Sequence, residues 1–184
     1  MVEEVYSKAG DQGETALGDG ARVAKSSARI AAFGEIEEAC ASIGLARAEA
    51  ETPIEAILAR IQEDLFDLGA DLLTPIASSG TSAPRIAPVQ IAWLEERINA
   101  LMEELPPLAG FVLPAGSPLA VRLHMARAVT RRAERAVVRL LEAPEEAVNR
   151  LVLVYLNRLS DLLFVLARAA NGMGGADIMR GVGG

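Results

Sequence analysis

A chain of 184 residues with a net charge of −7 has room for one domain with a sizeable core, but it lacks the broad basic surface that nucleic-acid or anionic-membrane binding relies on. Apolar residues make up 51% and aromatics only 4%, so the filling is Ala, Leu, Val and Ile, which predicts an all-α protein of closely packed helices. The lone Cys40 excludes an internal disulfide, and the lone His124 leaves neither a Cys/His zinc set nor a pair of Glu-x-x-His motifs, so no protein-built transition-metal site is expected.

The chain is read as a single domain over 1–184, opening with a polar segment, residues 1–26, that holds Gly10, Gly13, Gly18 and Gly20 together with the only two lysines, Lys8 and Lys25. Taken alone this segment suits a disordered tail. It equally concentrates backbone donors and compact positive charge, as a phosphate cradle does. A Walker-type loop is not expected, because no glycine precedes Lys25 and no buried strand precedes the segment. The start is acidic, with no long apolar run, so no secretory or transit signal is expected and the protein is placed in the cytoplasm.

The helical bundle is expected over 27–171. A first helix runs roughly from Ser27 to Ala50. The second opens at Thr52-Pro53-Ile54-Glu55, read as N-cap, first-turn proline and capping-box glutamate, and continues to about Leu73. A connection over 76–87 precedes a third helix from about Pro88 to Leu105. The apolar loop PPLAGFVLPAG follows, and Ser117-Pro118, again cap plus proline, starts a fourth helix to about Glu142. The fifth spans roughly 144–171; it is the most apolar window, yet Asn157, Arg158, Ser160 and Asp161 interrupt it, so no membrane span is expected. Residues 172–184, with six glycines, are expected to be mobile unless a ligand or neighbour orders them.

The fourth helix carries the densest positive charge, MARAVTRRAER. At 100° per residue His124, Arg127, Arg131 and Glu134 share one narrow arc, with Arg132, Arg135 and Arg139 beside it, while Met125, Val129, Ala133, Ala136, Val137 and Leu140 face the core. The strip suits either a solvated face of ion pairs, in which Arg131 meets Glu134 or Glu145, or a polyphosphate site matched to the planar guanidinium fork. In the fifth helix Asn157, Asp161, Phe164 and Arg168 form a second polar stripe, with Asp161 pairing to Arg158 or Arg168 as the simplest account.

Three segments together, YSKAGDQGETALGDGARVAK, FVLPAGS, and RAVTRRAER with YLNRLSDLLFVLARAAN, resemble the PduO-type ATP:cob(I)alamin adenosyltransferases. The resemblance implies a five-helix bundle assembled as a homotrimer, with ATP and the corrinoid at subunit interfaces. It implies transfer of the 5′-deoxyadenosyl group of ATP to cob(I)alamin with release of triphosphate; the alternative is a non-catalytic relative that binds, delivers or senses adenosylcobalamin. Ser7, Lys8, Gly10, Asp11 and Gly13 match the nucleotide loop, with Lys25 reaching the phosphates. Arg127, Arg131, Glu134 and Asn157 match residues that hold ATP and Mg²⁺ and tie neighbouring subunits. Phe111 matches the aromatic on the lower face of the corrin. Glu37 stands where the family carries an aspartate that pairs across the interface with an arginine matching Arg127. Cys40 likewise replaces the asparagine of Asp-Glu-Leu-Asn. Mg²⁺ is expected to be held largely by phosphate oxygens. The protein partner the resemblance allows for is a flavin-type reductase or a downstream cobalamin-dependent enzyme.

Overall fold

The computed structural model describes residue 6 and residues 8–76, 82–108, 110–143 and 146–180. Its helices are α1 (Ala28–Arg47), α2 (Ile54–Leu73), α3 (Pro88–Glu104), α4 (Pro118–Glu142) and α5 (Leu151–Ala170), preceded by two short strands, β1 (Glu14–Ala16) and β2 (Arg22–Ala24). Packing runs α2, α1, α4, α5, α3 across the bundle. Small residues make the central contact close: Ala32, Ala39 and Ala46 of α1 and Ala126 and Ala133 of α4 are wholly buried, two series at seven-residue spacing. Leucines of α2 and α5, including Leu58, Leu65, Leu68, Leu156, Leu159 and Leu163, fill the space around them. None of the described helices is long and apolar enough to cross a membrane.

The caps act as local chemistry dictates at two starts. Ser27 Oγ accepts from the Ile30 amide at 3.4 Å, and Ser117 Oγ accepts from the Ala120 amide at 3.2 Å, with Pro118 in the first turn. The start of α2 differs from the expected capping box. Pro53 itself occupies the cap position without a side-chain bond, and Glu55 turns to Arg47 of α1, 2.6 Å away. Helix α5 begins at Leu151, later than expected, because Arg29 reaches across from α1 to hold the preceding stretch through the Glu146 carboxylate and the Ala147 carbonyl.

The N-terminal segment is a hairpin rather than a frayed end. Strands β1 and β2 pair antiparallel with Thr15 opposite Val23. The turn closes through Leu17 N–H to the Ala21 carbonyl at 2.8 Å, with Gly20 at φ +85°. Gly18 N–H donates to the Leu73 carbonyl at 2.9 Å, and a side chain at Gly18 would collide with Thr74, so glycine is what lets the hairpin seat on the end of α2. At the other terminus, residues 172–180, expected to be mobile, fold back against the loop before α4, where Val112 bridges Met179 antiparallel. Residues 181–184 lie outside the described set.

Candidate functional site

Helix α4 divides its arginines among different partners. Arg132 leaves the expected strip and bonds Glu35 at 2.6 Å and also Glu38, both on α1. Arg135 Nη1 donates to the Arg131 carbonyl at 2.9 Å. Arg131 is exposed and has no ion pair among the described residues; its expected partner Glu145 lies outside them. Arg127 is half-buried with its guanidinium 5.5 Å from the Phe164 ring centroid, and its Nε is buried without a hydrogen-bond partner. Glu134 accepts from Asn157 Nδ2 at 3.0 Å, joining α4 to α5, while Asn157 Oδ1 accepts from Arg158.

Two positions on α4 correct the helical-wheel reading. Met125, expected in the core, is 61% exposed because it sits at the edge of the apolar arc. His124, expected on the polar arc, is buried beside Phe164, ring centroids 6.3 Å apart, with Nε2 unpartnered. Burial lowers its pKa, and the Arg127 charge lowers it further against a weaker opposing effect of Asp177. The stripe on α5 also splits. Asn157 and Phe164 serve the α4 face, Asp161 is exposed, Arg158 pairs with Glu95 at 2.6 Å, and Arg168 turns inward to Asp177.

A second group gathers at the hairpin. Lys8 at φ 59° and Gly13 at φ 80° bend the chain through two turns, Asp11 N–H to the Lys8 carbonyl at 3.2 Å and Gly13 N–H to the Gly10 carbonyl at 3.1 Å. Lys25 N–H donates to the Gly13 carbonyl at 2.8 Å. The Lys25 ammonium lies 2.9 Å from where a Gly10 Cβ would stand, so a bare backbone there lets the charge approach the loop. Arg22, which the sequence did not single out, staples this loop through the Ala9 carbonyl at 2.8 Å and Glu14 at 3.1 Å. Asp11 is exposed and Ser7 lies outside the described residues. Below the loop a cavity of about 240 Å³ is lined by Thr15, Lys25, Phe33 and Glu37, among others. Glu37 also borders a neighbouring cavity of about 440 Å³ that contains Cys40 and Phe66, and burial raises the Cys40 thiol pKa.

Phe111 forms a third element, its ring 81% exposed on the loop between α3 and α4. The structure thus brings Arg127, Glu134 and Asn157 together with Arg131 alongside, and separately brings Lys8, Gly10, Gly13, Lys25 and Glu37 together. No hydrogen bond or ion pair among the described residues joins these two groups. Each presents cationic or amide donors suited to phosphate oxygens.

The family model described as cobalamin adenosyltransferase matches residues 5–170. A corrinoid adenosyltransferase of Mycobacterium tuberculosis is 49% identical over 173 residues, covering 92% of this chain and 90% of that protein. One from Bacillus subtilis is 41% identical over 177 residues, covering 94% and 89%. Among solved structures, a phenylalanine-to-histidine variant of the PduO-type ATP:corrinoid adenosyltransferase from Lactobacillus reuteri, complexed with cobalamin and ATP, superposes with a TM-score of 0.90 at 36% identity, covering 97% of each chain. An arginine-to-lysine variant of that enzyme complexed with ATP gives 0.88 at 37% identity, covering 96% and 99%.

Proposed function

The chain belongs to the cobalamin adenosyltransferase family and carries out the ATP-dependent adenosylation of cobalamin, and on that premise we propose that its two half-sites meet between subunits of a homotrimer. The separation of Lys8, Lys25 and Glu37 from Arg127, Arg131, Glu134 and Asn157 carries this reading, since a triphosphate needs both sets and one chain does not join them. Two further features support it. Arg127 has a buried Nε that finds no acceptor among the described residues, which suits Glu37 of the partner subunit, one methylene longer than aspartate. Large apolar side chains are exposed on the same helices, Val121 and Met125 on α4 and Leu45 and Phe66 on α1 and α2, and Phe66 shares a cavity with Glu37, as an interface requires.

In the reaction, the electron pair of cob(I)alamin forms the Co–C5′ bond as the C5′–O bond of ATP breaks, and triphosphate departs with that bond's electrons. No Ser, Cys or His nucleophile is needed. Arg127, Arg131, Lys8 and Lys25 hold the phosphates and stabilise the charge that grows on the leaving group, and the turns through Gly10 and Gly13 shape the loop that carries the two lysines. Among the described residues no cluster of three or more His, Cys, Asp or Glu side chains could hold a metal. The single Glu134 carboxylate beside the Asn157 amide fits Mg²⁺ that takes its other ligands from phosphate and water, where it would neutralise triphosphate charge. Phe111 occupies the lower face of the corrin, excluding an axial ligand and favouring four-coordinate Co(II) that is more readily reduced. A reductase of the flavin type would supply the Co(I) state in the cytoplasm.

Anaerobic incubation with ATP, Mg²⁺ and chemically reduced cobalamin yields adenosylcobalamin and triphosphate in equal amounts. Mixing two variants, Lys8→Ala and Arg131→Ala, at an ATP concentration too low for either alone to turn over, after dissociation and reassembly, tests the shared site. Random trimers restore about a quarter of the sites, since each site then draws an intact half from each subunit in that fraction of pairings. Recovery of no activity in verified mixed trimers refutes the interface site.

A further inference from the structure

The ring of Phe111 is 81% exposed, so its position is set by its backbone rather than by packing, and that backbone is held by the C-terminal segment. Arg180 N–H donates to the Phe111 carbonyl at 2.8 Å, and Leu113 N–H donates to the Ile178 carbonyl at 2.8 Å. These two bonds bracket the Val112–Met179 bridge.

A buried polar cluster fixes the segment that makes them. Arg168 Nε donates to Asp177 at 2.8 Å, with side-chain exposures of 1% and 0%. Arg168 Nη2 donates to the Pro106 carbonyl at 2.8 Å, at the start of the Phe111 loop. Asn171 holds the other end: its Oδ1 accepts from Ser117 N–H at 2.9 Å, and its Nδ2 donates to the Ala115 carbonyl at 3.1 Å and to Asp177 Oδ1 at 3.2 Å. Gly116, at φ +115°, lets Asn171 in; a Cβ there would overlap the Asn171 side chain. A fully buried ion pair adds little net stability against its desolvation. Here it links the entry and exit of one loop to the strand that pairs with its centre.

We propose that Arg168, Asn171 and Asp177 are positioning residues for Phe111, with the 177–180 strand as the latch that sets the height of the ring above its ligand. The proposal rests on the reading of Phe111 as the residue on the lower corrin face. Asp177→Asn keeps size but places an amide N–H against one of two donors, Asn171 Nδ2 or Arg168 Nε. Arg180→Pro removes only the N–H that bonds the Phe111 carbonyl and leaves the buried cluster intact, so it decides the matter if Asp177→Asn fails to fold.

Three quantities are measured on the full-length enzyme, with Phe111→Ala as comparator: amide exchange at Leu113, the four-coordinate Co(II) spectrum with ATP and cob(II)alamin, and KM for ATP. Both latch variants are expected to speed Leu113 exchange roughly tenfold, as the loss of a hydrogen bond or two implies. They should cut the four-coordinate fraction several-fold and leave KM for ATP within about twofold. If Phe111→Ala abolishes the spectrum while both latch variants retain it, the latch is refuted and the Phe111 reading stands. If Phe111→Ala retains the spectrum, the Phe111 reading fails and the latch proposal fails with it.

Discussion

Arg131 and Arg132 are adjacent, carry the same charge and sit on the same helix, yet their surroundings differ, and the proposed function gives them opposite roles. Arg132 is bonded to Glu35 and Glu38, whereas Arg131, about 100° round the helix, has no ion pair among the described residues. Replacing Arg131 by Ala removes a charge-assisted bond to a phosphate oxygen, about 1.5–3 kcal/mol, which is roughly 10- to 150-fold in ATP affinity. Its exposed, unpaired position predicts a stability change within about 0.5 kcal/mol, less than about 2 °C in Tm. Arg132→Ala inverts the pattern. It frees two glutamates on α1 and lowers Tm more than Arg131→Ala does, while its effect on ATP is limited to a screened long-range loss of about threefold or less. Isothermal titration of ATP with Mg²⁺, together with calorimetric melting of both variants, reads the two effects separately. Equal losses of ATP affinity in the two variants would mean that only net charge matters, and the assignment of Arg131 to a phosphate would be refuted.

Two further outcomes follow from the buried polar groups. Arg29 is 2% exposed and bonds Glu146 together with the Leu72 and Ala147 carbonyls; Arg29→Met should cost about 3–5 kcal/mol, a fall in Tm of roughly 6–20 °C by calorimetry, and a loss under about 1 kcal/mol contradicts its structural role. His124 has a native pKa below the ordinary 6.5, so the unfolded chain binds the proton first as pH falls. Its contribution is therefore intact above pH 6.5 and declines as the pH drops from there through the native value. His124→Gln should flatten the decline in Tm between pH 7.5 and 5.5, and a wild-type-to-variant difference in Tm that does not vary with pH rules this out.

The parts of the fold that were legible in the sequence are those governed by neighbours along the chain. Ser27 and Ser117-Pro118 mark helix starts because a hydroxyl and an amide three residues on suffice to make a cap. The α2 start misled because Glu55 had a better partner in Arg47, a tertiary choice that no local motif reveals. The hairpin was missed because its strands have three residues each, too short for alternation to register, and its glycines were read as flexibility rather than as the turn and docking point they form. His124 and Met125 exchanged places for a related reason: a helical wheel gives angle, but not which neighbour covers its edge. The tail was unreadable because Asp177 is placed by Arg168, Asn171 and, through them, by Pro106 and Ser117, the last 54 residues away in sequence from its Asn171 partner.

The residues of the candidate site emerge from the arginines that structure does not consume. In a chain of net charge −7, the long-range field disfavours a polyanion, so a nucleotide can be held only where guanidinium groups remain uncommitted. Glu14, Glu49, Glu55, Glu95, Asp71, Glu146 and Asp177 each bind an arginine, and Arg132 takes both Glu35 and Glu38. Arg60 lies 4.3 Å from the Trp93 ring centroid. On α4, Arg127, Arg131, Arg135 and Arg139 have no ion pair among the described residues, and of these Arg127 lies against Phe164 with a buried Nε that has no hydrogen-bond partner among them. The excess of carboxylates therefore sharpens the site. It neutralises arginines that would otherwise bind phosphate indiscriminately, and leaves positive charge where α4 meets α5 and where Lys8 and Lys25 sit at the hairpin loop, the two places that the proposed intersubunit site asks a triphosphate to bridge.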